Sequence, residues 1–206
     1  MPCSHVTSGA LSPAWLDADE ESHGSLSWLC SQANDDTAND LVDLKSEALR
    51  LLRETSRTFY LPICGLPDGL LEAVASAYLC MRAIDEVEDH PGLDPSLKAP
   101  LLRQISLDLQ SAVHDEAIQF SFMELSEQTA LLPEVTGRIM EWSALAPMTI
   151  APRIWEATST MADRMAYWAE IGWRIETEGH LNQYTFSVAG SVGLLLSDLW
   201  SWHDGR

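Results

Sequence analysis

Residues 78–91 read YLCMRAIDEVEDHP, with Asp85, Glu86, Glu88 and Asp89 inside five consecutive positions. Apolar residues run up to the cluster and Pro91 closes it. As one continuous helix, this stretch puts Tyr78, Arg82, Asp85 and Asp89 on a single face, because they are separated by four, three and four positions. Glu88 follows Asp85 at the i+3 position and lies beside it. Like charges at these spacings cost helix stability, and carboxylates at a helix C-terminus also oppose the macrodipole. Two readings are open. One is a solvated acidic face, the common case. The other is a site for a hard divalent cation. Magnesium takes oxygen ligands, keeps several waters, and is held by one or two carboxylates together with substrate phosphates. Arg82, one turn before Asp85, then supplies a fork for phosphate oxygens or orients a carboxylate.

Outward from this stretch the pattern stays helical. LVDLKSEALRLLRETS (41–56) carries leucines at 41, 44, 49, 51 and 52. Pro62, Gly65 and Pro67 break the chain in SRTFYLPICGLP (56–67). The spacing predicts further helices over about 68–89, 96–115, 121–131, from Pro133 to about 145, 153–176 and 179–201, each set off by proline or glycine. No segment alternates with period two between turns, so strands are not expected. The expected class is all-α: long helices, apolar on more than one side, in a large bundle around a cavity. Residues 1–38, rich in Ser, Asp, Glu, Gly and Asn, are expected to be a disordered acidic arm, with the helical domain over 39–206. No internal repeat is visible.

The 206 residues suit one domain, and 46% hydrophobic residues can form a substantial core. The formal net charge of −19 disfavours nucleic acid as a partner. It would also repel anionic substrates unless bound cations reverse the local field. Cys3, Cys30, Cys64 and Cys80 form no C-x-x-C pair and no zinc spacing. Cys64 and Cys80 read as buried thiols, which points to a reducing, cytoplasmic setting. The first residues lack a basic stretch followed by an apolar run, so no signal peptide is expected. No run of about 18 apolar residues could span a membrane, which leaves peripheral membrane contact open.

The segment YLCMRAIDEVEDHP resembles the first aspartate-rich motif of the squalene and phytoene synthase family, the head-to-head prenyl transferases. Tyr78, Arg82, Asp85, Glu88 and Asp89 stand at its tyrosine, arginine and Asp-x-x-Glu-Asp places. SRTF (56–59) resembles the family's diphosphate-contacting segment. YTFSVAGSVGLLLSDLW (184–200) is similar to its Tyr-x-x-x-Val-Ala-Gly-x-Val-Gly helix, and MADRMAYW (161–168) sits where a pocket-lining helix is found. The resemblance implies an isoprenoid-synthase-like helical bundle around a central cavity.

The resemblance also implies a chemistry. Two prenyl diphosphates, farnesyl or geranylgeranyl, would condense head to head in a Mg²⁺-dependent reaction through a cyclopropylcarbinyl diphosphate. Reduction by NADPH would end at squalene; proton loss would end at phytoene or dehydrosqualene. Asp85, Glu88 and Asp89 would hold the metal, with Glu88 as a ligand or one layer behind. Ser56, Arg57, Phe59, Arg82, Val188, Ala189 and Gly190 would meet substrate, and Tyr78, Arg82, Asp85, Asp89 and Tyr184 would carry the chemistry. Arg57 and Arg82 would also lie near the nucleotide phosphates of NADPH. Simpler roles stay open: a surface ion pair for Arg57 with Glu54 or Glu72, a core position for Phe59, and tight helix packing for Gly190 and Gly193. Two departures stand out. Ser187 occupies a place that is tyrosine in many squalene-forming members, which loosens the choice of product. The family's second carboxylate motif finds no counterpart before HDGR (203–206): Asp36 and Asp40 lie in the acidic arm, and Asp198 and Asp204 do not share a face. The chain is therefore read as the N-terminal portion of a longer enzyme, with a truncated or non-catalytic helical relative as the alternative.

Overall fold

The computed structural model describes residues 41–56, 58–112 and 130–205. Helix α1 covers residues 41–55. The loop expected after it contains a single-turn helix, α2 (Tyr60–Cys64). Then come α3 (Leu70–Asp89), α4 (Pro95–Ala112), the short α5 (Glu134–Gly137) and α6 (Ile139–Ala144), α7 (Ala151–Glu170), α8 (Glu178–Thr185), a π-helical turn (Phe186–Gly190) and α9 (Ser191–His203). Every helix and strand assignment among the described residues is helical, so the all-α expectation holds there.

Among the described residues, helix α3 touches the most other helices. It packs against α4, α5, α6, α7 and α9. Its buried residues come from every side of the helix: Ala73, Val74, Ala75, Ala77, Leu79, Cys80, Ala83, Ile84 and Val87 among them. A helix apolar all round must be enclosed by neighbours, and its alanines let those neighbours approach closely. Glu72 starts it, its carboxylate accepting the Gly69 N–H at 2.6 Å. Lys45 of α1 donates to the same carboxylate at 2.5 Å. The acidic cluster sits at the other end, in the last turns.

Helices α4 and α7 run against each other, tied by the buried Ser106 hydroxyl donating to Ser159 O (2.8 Å). Asp94 starts α4 by accepting the Ser96 N–H at 2.9 Å, with Pro95 at the first helical position. Thr136 Oγ1 donates to Ala83 O at 3.1 Å, and Trp155 Nε1 donates to Ser143 O at 3.0 Å, fastening α5 to α3 and α7 to α6. Arg153 of α7 grips Asp198 of α9 through Nε (2.7 Å) and Nη2 (2.6 Å). Cys80 is buried, as expected, and its thiol is pushed up to about 12 by burial; Cys64 is only partly buried.

Three helix expectations differ from the structure, the first being the single helix over 179–201, which the π-helical turn at Phe186–Gly190 interrupts. The helix expected from Pro133 to about 145 breaks at Arg138 (φ −113°, ψ 22°) into α5 and α6. The helix expected to reach 176 stops at Glu170. There Gly172 N–H bonds to Ala169 O (3.1 Å) and Trp173 N–H to Trp168 O (2.9 Å), a Schellman end with Gly172 at φ +64°. The expected helix over 121–131, the expected acidic arm with its cysteines Cys3 and Cys30, and Asp36 and Asp40 lie wholly or mainly outside the described residues. No helix among the described residues is long and apolar enough to cross a membrane.

Candidate functional site

The last two turns of α3 bring its charges to the level of the α7–α8 loop and of α8. Glu88 is the most enclosed member, 7% exposed. Trp173 Nε1 donates to its Oε1 at 2.5 Å, and the Tyr184 hydroxyl donates to the same oxygen at 3.5 Å. Lys98 of α4 donates to the Glu88 main-chain carbonyl. That cation meets an orphan carbonyl at the helix C-terminus and partly offsets the unfavourable macrodipole interaction of the acids.

Asp85 is half-buried, and its carboxyl is pushed up to about 7. Burial is the leading cause, and Glu88, Asp89 and Glu86 add to it, while the Arg82 guanidinium pulls the other way. Burial likewise raises Glu88, against the lowering effect of the hydrogen bond from Trp173. Tyr184 is raised first by burial and then by Glu88 and Asp89, so its hydroxyl keeps its proton and remains a donor. Its ring meets Trp168 edge-on, centroids 5.6 Å apart. Arg82 pairs with Glu86 one turn on. Its Nε is buried and has no hydrogen-bond partner among the described residues. A buried donor left without an acceptor is costly and calls for an oxygen that the described residues do not supply.

The SRTF segment meets the same helix higher up. Ser56, 5% exposed, accepts the Phe59 N–H at 2.9 Å and so shapes the turn into α2. Phe59 is 59% exposed rather than in the core, its ring 6.1 Å from that of Tyr78. Tyr78 donates to Thr55 O at 3.2 Å, joining α3 to the end of α1. Arg57 lies outside the described residues. The two carboxylates considered as its surface partners are engaged elsewhere, Glu54 with Arg50 and Glu72 with Lys45.

The Val-Ala-Gly segment falls on the π-helical turn. One extra residue per turn re-aims the side chains that follow, and such turns recur at functional sites. Val188 packs against the core, while Ala189 and Gly190 are exposed. A Cβ on Gly190 would come within 2.7 Å of Phe186 Cδ2, so this glycine answers to a close approach within its own helix. A Cβ on Gly193 would meet nothing within 4 Å.

The structure therefore gathers Asp85, Glu88 and Tyr184 from two distant motifs and leaves Asp89 exposed. No group of three or more acidic, histidine or cysteine side chains among the described residues is arranged to hold a metal ion alone. A cavity of about 450 Å³ lies elsewhere, lined by Arg103, Asp163, Arg164, Tyr167, Phe186 and Ser187 with others, and not by the acidic cluster. Trp173 and Lys98 escaped the sequence reading. Gly172-Trp173 could have been seen as a helix stop, but nothing local ties an indole to a carboxylate so far back in the chain.

Residues 52–206 match the squalene/phytoene synthase family. The chain is 35% identical over 158 residues to squalene synthase of Schizosaccharomyces pombe, covering 74% of this chain and 33% of that protein. It is 31% identical over 153 residues to squalene synthase BSS of Botryococcus braunii (73% of this chain, 31% of that protein). It is equally identical, over the same length, to squalene synthase of Solanum lycopersicum (73% and 34%). A solved structure of TcSQS in complex with the ligand BPH1237 superposes with a TM-score of 0.59 at 23% identity, covering 79% of this chain and 46% of that one, a likeness of fold. The chain spans about a third of the length of these curated relatives.

Proposed function

The chain belongs to the squalene/phytoene synthase family, and from that premise we propose that it carries the first carboxylate motif of a Mg²⁺-dependent head-to-head condensation of two prenyl diphosphates, farnesyl units leading to squalene and geranylgeranyl units to phytoene. The observation that carries this reading is the end of α3. A half-buried Asp85, whose carboxyl gains from a neighbouring cation, stands one turn from an Arg82 whose buried Nε has no acceptor among the described residues.

The donor set fits Mg²⁺, which would be held by Asp85 and Asp89, with Glu88 beside them, and completed by water and diphosphate oxygens. When bound, the ion neutralises the diphosphate leaving group. The chain's own residues do the rest. Arg82 donates from Nε to a diphosphate oxygen, a charge-assisted bond stronger than a neutral one. Ser56 and Phe59 shape the turn beside Tyr78, where the diphosphate end of the substrate meets the chain. Tyr184 offers its ring face to the allylic cation left by diphosphate departure. The second prenyl double bond attacks that cation, and the tertiary cation so formed loses a proton to the departed pyrophosphate as the ring closes to a cyclopropylcarbinyl diphosphate. Val188, four positions after Tyr184 and packed against the core, keeps that side apolar. For NADPH, Arg82 is the one described residue expected near its phosphates, and it already serves the diphosphate. Phytoene or dehydrosqualene is the product when no hydride is delivered.

A second reading, a chain that binds diphosphate without condensing it, is favoured by the lack of three converging metal ligands among the described residues. Titration calorimetry with inorganic pyrophosphate tests both. Binding that needs Mg²⁺ and collapses in Asp85→Asn supports the site; equal binding with and without Mg²⁺ overturns it. Incubation with radiolabelled farnesyl and geranylgeranyl diphosphates, with and without NADPH, then separates condensation from binding and identifies the product.

A further inference from the structure

Trp173 is the one non-glycine residue with positive φ among the described residues, at +51°. The left-handed region costs an L-residue roughly 1–2 kcal/mol, and a bulky side chain there is an outlier. Helix termination does not require it. The Schellman end of α7 needs that conformation at Gly172, which already supplies it at +64°. A second consecutive left-handed residue must be held by something else, and strain of this kind persists where surrounding contacts over-determine it.

The Trp173 main chain is held by its N–H bond to Trp168 O at 2.9 Å, and the contacts of its side chain lead to Glu88. The indole Nε1–H donates to Glu88 Oε1 at 2.5 Å. The Lys98 ammonium lies 5.6 Å from the indole centroid and also donates to the Glu88 main-chain carbonyl. Glu88 is thus gripped at both ends: its carboxylate by Trp173 and Tyr184, its backbone by Lys98. Trp173 lies between the two grips, hydrogen-bonded to the acid on its edge and facing the cation with its ring. A long acidic side chain normally samples several rotamers. This one is 7% exposed and has one oxygen committed.

We propose that Trp173 is a positioning residue: with Lys98 against its ring, it fixes Glu88 in a single orientation at the divalent-cation end of α3. The inference rests on the magnesium reading above and adds to it a residue from the α7–α8 loop. Groups that hydrogen-bond a ligating or near-ligating carboxylate set its orientation, and their loss typically weakens metal affinity by about 10–100-fold. The left-handed backbone is the structural cost of placing the indole there.

The test is Mn²⁺ affinity, read by electron paramagnetic resonance of the free ion, for four forms of the full chain. Trp173→Phe keeps a ring for Lys98 and removes only the N–H. Trp173→Gly removes the side chain but suits the left-handed backbone, so it relieves strain. Asp85→Asn reports on the metal site itself. Circular dichroism and melting temperature check that each variant is folded. The expected result is strong loss of Mn²⁺ binding in Asp85→Asn and roughly tenfold weakening in both Trp173 variants, although Trp173→Gly melts no lower than wild type. A purely structural loop residue would show the opposite pattern, with Trp173→Gly binding as wild type does. Unchanged affinity in Trp173→Phe and Trp173→Gly, alongside a loss in Asp85→Asn, overturns the positioning role and leaves the magnesium reading intact. Binding that ignores Asp85→Asn overturns both. A terbium probe adds a spectroscopic check: luminescence sensitised by indole excitation should fall in Trp173→Phe more than in Trp200→Phe, and equal losses count against the proposal.

Discussion

Burial and three neighbouring carboxylates act together on Asp85, and its carboxyl sits near 7 instead of 3.8. Below pH about 4 the group is protonated in folded and unfolded chains alike and contributes nothing. Between about 4 and 7 the unfolded chain ionises while the folded chain keeps the proton, so stability falls as pH rises. Above 7 the cost is fully present. Without divalent cations, Asp85→Asn should therefore melt like wild type near pH 4 and higher than wild type at pH 8. After discounting for solvent near a half-buried group, the gain is about 1–2 kcal/mol, read by calorimetry at both pH values. Equal offsets at the two pH values would contradict this account. Arg82 gives a second prediction at this scale. Its planar fork, with Nη2 on Glu86 and Nε left for an outside oxygen, has no equivalent in lysine. Arg82→Lys should keep the positive charge yet weaken Mg²⁺-dependent pyrophosphate binding about tenfold or more, measurable by calorimetry.

Single helices show how far local pattern carries. The extent of α3 and its proline-glycine stop were readable because helix formers and breakers act within a few residues. The π-helical turn at Phe186–Gly190 was not, since an α-helix and its one-residue-wider variant share the same local composition. The sequence reading paired Gly190 and Gly193 as equivalent; the structure separates them. Gly193→Ala should stabilise the chain by about 0.5–1 kcal/mol, because its Cβ enters open space and alanine favours the helix. Gly190→Ala should gain nothing, because the same methyl group drives the Phe186 ring away from the Arg164 guanidinium it faces at 5.2 Å. Chemical denaturation of the two variants in parallel decides the matter. At the end of α7, Gly172→Ala should cost about 1 kcal/mol by forcing a Cβ into φ +64°.

For the molecule as a whole, the formal net charge of −19 opposes compaction, and on the proposed magnesium reading a divalent ion at the end of α3 would relieve part of it. Mg²⁺ should raise the melting temperature in wild type and much less in Asp85→Asn, by the linkage that gives about 2.7 kcal/mol at a hundred times Kd. Sodium chloride at matched ionic strength should raise both equally, since it screens charge without a site. What the amino-acid sequence determined by itself was the helical class, the positions of most helices and the family's three motifs, because periodicity, breakers and motif spacing are properties of neighbouring residues. Only the tertiary structure decided which carboxylates are enclosed. It left Asp89 in solvent, half-buried Asp85, and set Glu88 against Trp173, 85 positions along the chain. That last contact depends on where α7 ends, on two left-handed residues after it, and on the packing that carries the α7–α8 loop back to α3. Each of these is settled by contacts between distant segments, and none by the order of residues around any one of them.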